Sequence, residues 1–310
     1  MQGTSSLFIT DPLSELNLKK DTTILWMQEA SNLGGQILQC EPKDLIYEEQ
    51  QTFTKFLEIK DPRKHPQVGK MVDEIRPLKD FDYIFMRKDP PVNVDYMNTL
   101  HILSQAEFEG ANILNRPSAL MKFNEKIFAL QFSDWMPDTS VICKEDDFKL
   151  FKEKYSDVIL KPLNGMGGDS IYKFDKTSED HLKIFKELTN NYKTMVMVQN
   201  FLPEIYDGDY RILIINGEPF PIGLARIPQK GSFKGNLAAG GRGEARELSA
   251  DQIQASKEIG KILIQEGILF AGIDMIGSYL TEINITSPTG AREILTQTGQ
   301  NPIKALLQSI

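Results

Sequence analysis

The stretch Leu269-Phe270-Ala271-Gly272-Ile273-Asp274-Met275-Ile276-Gly277-Ser278-Tyr279-Leu280-Thr281-Glu282-Ile283-Asn284-Ile285-Thr286 reads as two strands joined by a turn. With Gly277-Ser278-Tyr279 as the turn, centred on Ser278, Ile276 pairs with Leu280 and Asp274 with Glu282. Strand side chains alternate between faces, so Asn284 shares the face of Asp274 and Glu282. Ile273, Met275, Ile283 and Ile285 take the opposite face, as a core requires. Two carboxylates directly across a ladder repel each other. A hard divalent cation that takes oxygen ligands would remove that cost. A solvated hairpin face with spare carboxylates is the other reading of these residues alone.

Working back from the hairpin, a helix opens on the capping box Ser249…Gln252, carries Ile253, Ile259, Ile262 and Leu263, and ends at Gly267. Before it runs the stretch Ile227–Arg242, rich in small residues, hinged by glycine and carrying Lys230, Lys234 and Arg242. Loops longer than about a dozen residues are usually functional or disordered, and this composition suits a lid that excludes water. Tyr210–Ile215 is a strand, flanked by Arg211 and by Arg226 on the returning chain. Arginine meets planar carboxylates and phosphates in a two-pronged fashion; ordinary surface ion pairing is the alternative.

Further upstream lies a mixed α/β segment. It comprises a helix over Glu125–Phe132, a strand at Val141–Cys143, a helix over Phe148–Lys154 and a strand at Val158–Leu163. A glycine loop follows, then a strand at Ser170–Phe174, a helix over His181–Thr189 and a strand at Val196–Phe201. The loop Asn164-Gly165-Met166-Gly167-Gly168-Asp169-Ser170 lets the backbone approach phosphate oxygens closely. It lacks the third glycine of the dinucleotide fingerprint and the Gly-Lys-Ser/Thr of the Walker loop, and a glycine-rich hairpin turn is the other reading. Lys161 stands inside an apolar strand, where an ammonium is costly unless it meets an anion. Lys126 is ambiguous alone. Gln199-Asn200-Phe201-Leu202 ends a strand at a boundary between units, where backbone groups could meet an adenine edge and apolar side chains sandwich its ring. Asp209 follows, placed to accept from ribose hydroxyls; linker residues are the bland reading of both.

The N-terminal third alternates strands and helices, which argues for a parallel sheet. It reads as a strand at Leu7–Thr10, a helix capped by Asp21 and ended by Gly34-Gly35, and a strand at Gln36–Cys40. Less regular strands lie within Leu45–Ile59. A buried strand Tyr83–Met86 is stopped by Pro90-Pro91, and a helix near Asn98–Glu109 and a strand at Asn112–Asn115 complete it. Three units are expected: residues 1–122, 123–200 and 201–310. The formal net charge of −8 argues against a broad nucleic-acid surface. Cys40 and Cys143 lack metal-like spacing, and no apolar run nears the roughly 20 residues that span a bilayer. No secretory signal opens the chain, so a cytoplasmic protein with neither nucleic-acid nor membrane partners is expected.

Taken together these segments resemble the ATP-grasp ligases, specifically the bacterial glutathione synthetases, over nearly the whole chain. The most specific pieces are Met86-Arg87-Lys88-Asp89-Pro90-Pro91, Leu160–Gly168, Gly235-Asn236-Leu237-Ala238-Ala239-Gly240-Gly241-Arg242-Gly243 and Thr281–Thr289. The resemblance implies an α/β and α+β chain: an ATP-grasp fold behind a Rossmann-like N-terminal domain. It implies that Lys126 and Lys161 hold phosphates of ATP, the co-substrate, under Gly165, Met166, Gly167 and Gly168. Gln199, Asn200, Phe201 and Leu202 would meet adenine and Asp209 the ribose. Asp274, Glu282 and Asn284 would hold magnesium (or manganese). Arg87, Arg211, Arg226, Asn236 and Ser287 would face γ-glutamylcysteine and the transferring phosphoryl group, with Arg211, Arg226 and Lys161 carrying catalysis. Glycine is the remaining small-molecule partner, and a homotetramer is implied. Phe201 stands where tyrosine is common, a change that a backbone-reading site tolerates. An ATP-grasp ligase for another acid and amine, or a non-catalytic nucleotide-binding module, are the alternatives. The second should have lost a phosphate lysine or a metal ligand, and here all are present.

Overall fold

Apolar strands alternating with capped helices build the first sheet. The computed structural model describes residues 1–165, 170–175, 177–237 and 240–310. The N-terminal strands are β1 (Ser5–Ile9), β2 (Gln36–Cys40), β3 (Leu45–Glu48), β4 (Gln51–Glu58), β5 (Lys70–Pro77), β6 (Tyr83–Met86) and β7 (Ile113–Leu114). The helices with them are α1 (Thr22–Asn32), α2 (Val94–Phe108) and α3 (Pro117–Lys122). The sheet runs β3-β4-β2-β1-β6-β7, with β5 also on β4. β1 lies parallel to β2 and β6, and β6 parallel to β7. Asp21 caps α1 by accepting from the Thr23 and Ile24 amides at 2.6 and 3.4 Å. Three features depart from the reading above. α2 begins earlier, at Val94, because the Asn93 side chain caps the Tyr96 amide. The helix α3 was not anticipated, and neither was β5, a polar edge strand with little hydrophobic signal.

The central unit contains α4 (Glu125–Ala129), β8 (Thr139–Ile142), α5 (Glu145–Lys154), β9 (Val158–Pro162), β10 (Tyr172–Phe174), α6 (His181–Leu188) and β11 (Val196–Asn200). Its antiparallel sheet is ordered β10-β9-β11-β8. α4 stops at Ala129; the chain continues as a kinked 3-10 turn through Trp135, with Phe132 leaving helical geometry. The C-terminal unit has β12 (Asp209–Ile215), β13 (Glu218–Pro219), β14 (Ile222–Ile227), β15 (Arg242–Glu247), α7 (Ala250–Gln265), β16 (Phe270–Ile276), β17 (Tyr279–Asn284), α8 (Ala291–Thr298) and α9 (Pro302–Gln308). Its order is β15-β14-β12-β16-β17, with β13 on β12.

The cores do not follow chain order. Leu7, Ile9, Ile84 and Leu100 share one apolar cluster with Ile212, Ile273, Met275 and Ile283. Phe8, Trp26 and Phe85 share a second with Leu213, Phe270 and Ile303. The first and last thirds are therefore fused, while Phe148, Phe174, Phe185, Val196 and Val198 give the central sheet a core of its own. Asn115, at the end of β7, bonds the fused halves. Its amide donates to the carbonyls of Phe270 (2.8 Å) and Ile285 (3.0 Å) and accepts from the amides of Leu269 and Phe270.

The C-terminal hairpin closes differently from the centred turn. Ile276 pairs with Tyr279 across a two-residue turn, Gly277-Ser278, and Met275 pairs with Leu280. Continued without a break, that register would set Asp274 against Thr281 and turn Glu282 to the core face. Thr281 is instead the extra residue of a bulge, and beyond it Asp274 pairs with Glu282 and Ile273 with Ile283. The anticipated acidic pair is present, by a different route. The bulge also lets Leu280, fully buried, face the core beside Met275.

Asn115→Ala would strand buried amides and carbonyls on both sides of the fused core. Leaving such groups unpaired costs about 2–4 kcal/mol in total. The urea midpoint should fall accordingly; an unchanged midpoint would show that the joint carries no stability.

Candidate active site

A row of charge crosses the C-terminal sheet on one face, set by strand register. Arg226 on β14 is opposite Asp209 on β12; two residues along β12, Arg211 is opposite Asp274 on β16, which is opposite Glu282 on β17. The Asp274 carboxylate is gripped by Arg211 Nε and Nη2 at 2.5 and 3.0 Å and by Arg226 Nη2 at 3.1 Å. Asn284 Nδ2 donates to the same carboxylate at 3.2 Å. Burial alone would raise the Asp274 pKa; the two guanidiniums outweigh it and hold the group well below the usual carboxylate range. Arg226 also pairs with Asp209 Oδ2 at 2.5 Å.

Two lysines reach this row from outside the sheet. Lys126, at the start of α4, donates to Glu282 Oε1 at 2.8 Å and to the Gly165 carbonyl at 2.6 Å. Lys161, in β9, donates to the Thr281 carbonyl at 3.2 Å, the oxygen that the bulge presents. Burial pulls the Lys161 ammonium down from an ordinary 10.5 to about 8, against the opposing pull of Glu282. Met166, Gly167 and Gly168 lie outside the described residues, so the glycine loop enters here only through Gly165.

These groups border a cleft of about 870 Å³ between the central and C-terminal sheets. Its apolar wall includes Ile159, Ile171, Leu202 and Ile205. Gln199 lies at the end of β11 with its side chain turned to Thr139 Oγ1, 2.9 Å away. Asn200 Oδ1 and Asp209 Oδ1 are buried acceptors without a partner among the described residues. Buried acceptors seek donors, so this wall suits a ligand bearing hydroxyl or amino groups. Phe201 stacks under the Lys173 ammonium, 3.6 Å from the ring centroid, and its amide is spent on the Asp157 carbonyl. Phe233, Lys234, Gly235 and Asn236 from the long loop also line the cleft. Gly235 is needed there, since a Cβ would stand 2.5 Å from the Arg226 carbonyl oxygen.

A second cleft, of about 920 Å³, joins the first at Asn236, Asp274 and Glu282. Arg211, Arg226, Asn284 and Ser287 line it. Arg87 does not. Its guanidinium is buried, donating to Thr23 Oγ1 and the Pro288 carbonyl at 3.1 Å each, and lies over the Trp26 and Phe270 rings. Arg87, expected from the resemblance to face a substrate, is thus one residue behind the wall of the second cleft, which Ser287 and Pro288 line. In this structure it braces the Ser287–Pro288 turn from behind, because the aromatic cluster of the fused core draws it inward. Sequence reasoning passed over Asp89 and Glu125, both on the second cleft. Glu125 carried a weak signal, a carboxylate one residue before a lysine at a helix start.

Among the described residues no three His, Cys, Asp or Glu side chains gather as a metal site. The oxygen donors of Asp274, Glu282 and Asn284 nevertheless fit a hard divalent cation by type. In this arrangement arginines and Lys126 hold the carboxylate oxygens that such an ion would share.

Comparison with known proteins decides the family. Residues 5–121 match the model of the prokaryotic glutathione synthetase N-terminal domain, and residues 125–299 that of the prokaryotic glutathione synthetase ATP-grasp domain. The chain belongs to the prokaryotic glutathione synthetase family. The glutathione synthetase of Escherichia coli (strain K12) is 43% identical over 290 residues, spanning 92% of this chain and 91% of that protein. That of Vibrio parahaemolyticus serotype O3:K6 is 42% identical over 289 residues, with the same shares. Among solved structures, a Chryseobacterium gregarium ATP-grasp ligase superposes with a TM-score of 0.67 at 15% identity, covering 99% of this chain and 96% of that one. D-alanyl-alanine synthetase A from Vibrio cholerae gives 0.64 at 14%, covering 99% and 97%. These likenesses establish the fold: ATP-grasp, with a Rossmann-like N-terminal sheet.

Lys161 yields a pH test. Below about 8 its ammonium is charged in both folded and unfolded chains, so the cost of burying it is borne in full. Between about 8 and 10.5 the unfolded chain holds a proton that the folded one lacks, and this group's contribution to stability improves as pH rises. A polyphosphate beside Lys161 would restore the proton. Calorimetry of ADP binding at about pH 8.5, in buffers of different ionisation heat, should register proton uptake that Lys161→Met abolishes. Uptake persisting in the variant would assign it elsewhere.

Proposed function

We infer that the protein is a glutathione synthetase. It joins γ-L-glutamyl-L-cysteine to glycine at the expense of ATP, giving glutathione, ADP and phosphate. The observation that carries this reading is the meeting of two clefts at Asp274, Glu282 and Asn236, one walled for a nucleoside and the other opening on Arg211 and Arg226. A phosphoryl group passing from one cleft to the other crosses the row of charge.

The dipeptide's cysteinyl carboxylate is a poor electrophile until it is phosphorylated. Its oxygen attacks the γ-phosphorus, the bond to ADP breaks, and an acylphosphate forms. Glycine's amine then attacks the acyl carbon, a proton leaves the nitrogen, and phosphate departs. The protein's part is positioning and charge neutralisation. Lys126 and Lys161 receive polyphosphate oxygens, and Arg211 the migrating phosphoryl group. Arg226 orients the dipeptide carboxylate, while Asn236 and Ser287 close around the substrate. Asn200 Oδ1 and Asp209 Oδ1 accept from the nucleoside, and Gln199, Phe201 and Leu202 frame the base. Asp274, Glu282 and Asn284 would hold Mg²⁺ or Mn²⁺, which when bound supplies charge neutralisation on the polyphosphate. The loop 227–242, of which residues 238 and 239 lie outside the described ones and Phe233 to Asn236 line the first cleft, is the lid that keeps the acylphosphate from water. The division at residues 1–122, 123–200 and 201–310, a homotetramer and a cytoplasmic location complete the reading, supported by family resemblance. Among the described residues no helix is long and apolar enough to cross a membrane.

With amino acids as acceptors, ADP release should require both γ-glutamylcysteine and glycine, and D-alanine or glutamate in place of glycine should not support it. ADP release with another acid and amine would replace the substrate assignment. Arg211→Ala should lower kcat by about a hundredfold or more, the scale of losing one transition-state donor. Near-normal turnover would remove Arg211 from phosphoryl transfer.

A further inference from the structure

Glu125 has no task in the mechanism above, yet its carboxylate sits on the substrate cleft. One oxygen, Oε1, accepts from the Ile285 amide at 2.7 Å, the Thr286 amide at 3.0 Å and the Thr286 hydroxyl at 3.0 Å. The side chain borders the second cleft and also a third, of about 640 Å³, that shares Pro90 and Thr286 with it. Glu125 therefore stands where two openings meet. Its pKa is raised, by burial first and by the Glu282 charge second.

The charge balance around Glu125 is incomplete. Asp274 faces two arginines and Glu282 faces Lys126. Among the described residues no lysine, arginine or histidine pairs with Glu125. A largely buried carboxylate without a counter-charge is expensive, and a cation at its free oxygen would offset that cost. Hydrogen bonds from backbone amides orient the group but bring no full positive charge. Asp89 is the other cleft carboxylate without a salt bridge among the described residues. It borders the Arg87 and Ser287 end, whereas Glu125 adjoins Thr286 and the Glu282 end, where phosphoryl transfer takes place.

We propose that Glu125 is the recognition site for the ammonium group of the incoming amino acid. The proposal deepens the ligase reading above and rests on it. The free carboxylate oxygen receives the ammonium as the acceptor arrives, and places its nitrogen beside Thr286 and Asn284 on the acyl side of the cleft; one proton passes to water before the amine attacks, and the second leaves as the amide forms. An acceptor that is uncharged at neutral pH has no such need. Hydroxylamine is one, and it traps acylphosphates as hydroxamates.

The test compares the two acceptors on the same enzyme preparation, with γ-glutamylcysteine, ATP and magnesium present. In Glu125→Gln the amide oxygen can still accept from Ile285 and Thr286, while the negative charge is gone. The ratio of glycine ligation to hydroxamate formation, each as kcat/KM for the acceptor, should fall by about 30-fold or more, the scale of removing one member of a buried charge pair. Being a ratio within one preparation, it is insensitive to a partly unfolded variant. Glu125→Asp, which keeps the charge, should recover part of it. Equal loss with both acceptors would mean that Glu125 only braces the 285–286 backbone, and would overturn the proposal. An unchanged ratio would overturn it as well, as would the same fall in Asp89→Asn. If the unaltered enzyme forms no γ-glutamylcysteine hydroxamate, the ligase reading itself fails, and the proposal with it.

Discussion

The Asp274 carboxylate, clamped between Arg211 and Arg226, is the interaction around which the rest of the site is arranged. A buried ion survives only with a partner and hydrogen bonds to spare. Here three strands supply them: β12 sets Arg211 directly opposite, β14, one strand further out, reaches across with Arg226, and β17 adds Asn284. Charges of opposite sign alternate across the sheet until Glu282. There two carboxylates face each other, and Lys126 from α4 answers the excess. The groups that can handle phosphate and metal are therefore also those that let this face of the sheet be buried.

The bulge at Thr281 makes that arrangement compatible with a core. A tight Gly277-Ser278 turn sets one register, and the pairing of Asp274 with Glu282 needs another. One extra residue reconciles them, keeps Leu280 and Ile283 buried, and frees a carbonyl for Lys161. Register and site geometry meet in a single residue, as is common for bulges near active sites.

Two packed bodies divide the mechanical work. The N-terminal and C-terminal sheets share their cores, and Asn115, Arg87 and the Trp26–Phe85–Phe270 aromatic cluster bind them into one body. The central sheet, packed on separate phenylalanines, contributes Lys161 and part of the apolar wall of the first cleft. A ligand lying between the two touches both bodies at once, which suits a nucleotide held from opposite sides.

Much of this was legible from residue order, because it depends on local periodicity. Asp21, Gly34 and the Ser249…Gln252 box mark helix ends through bonds made within a few residues. The strands Gln36–Cys40 and Tyr83–Met86 announce themselves as apolar runs. Asp274, Glu282 and Asn284 share a face because strand side chains alternate. Other features depend on partners distant in the chain. The bulge follows from burying Leu280 against a core completed by other elements. Arg87 turns inward because Trp26 and Phe270 are there to receive it. Glu125 became visible only once the amides of Ile285 and Thr286, some 160 residues away, were seen to hold one of its oxygens and leave the other to the cleft. Sequence alone determined which side chains could carry charge on one face. Tertiary structure decided which of those charges are already paired, because pairing of buried ions is settled by the neighbours that exclude water.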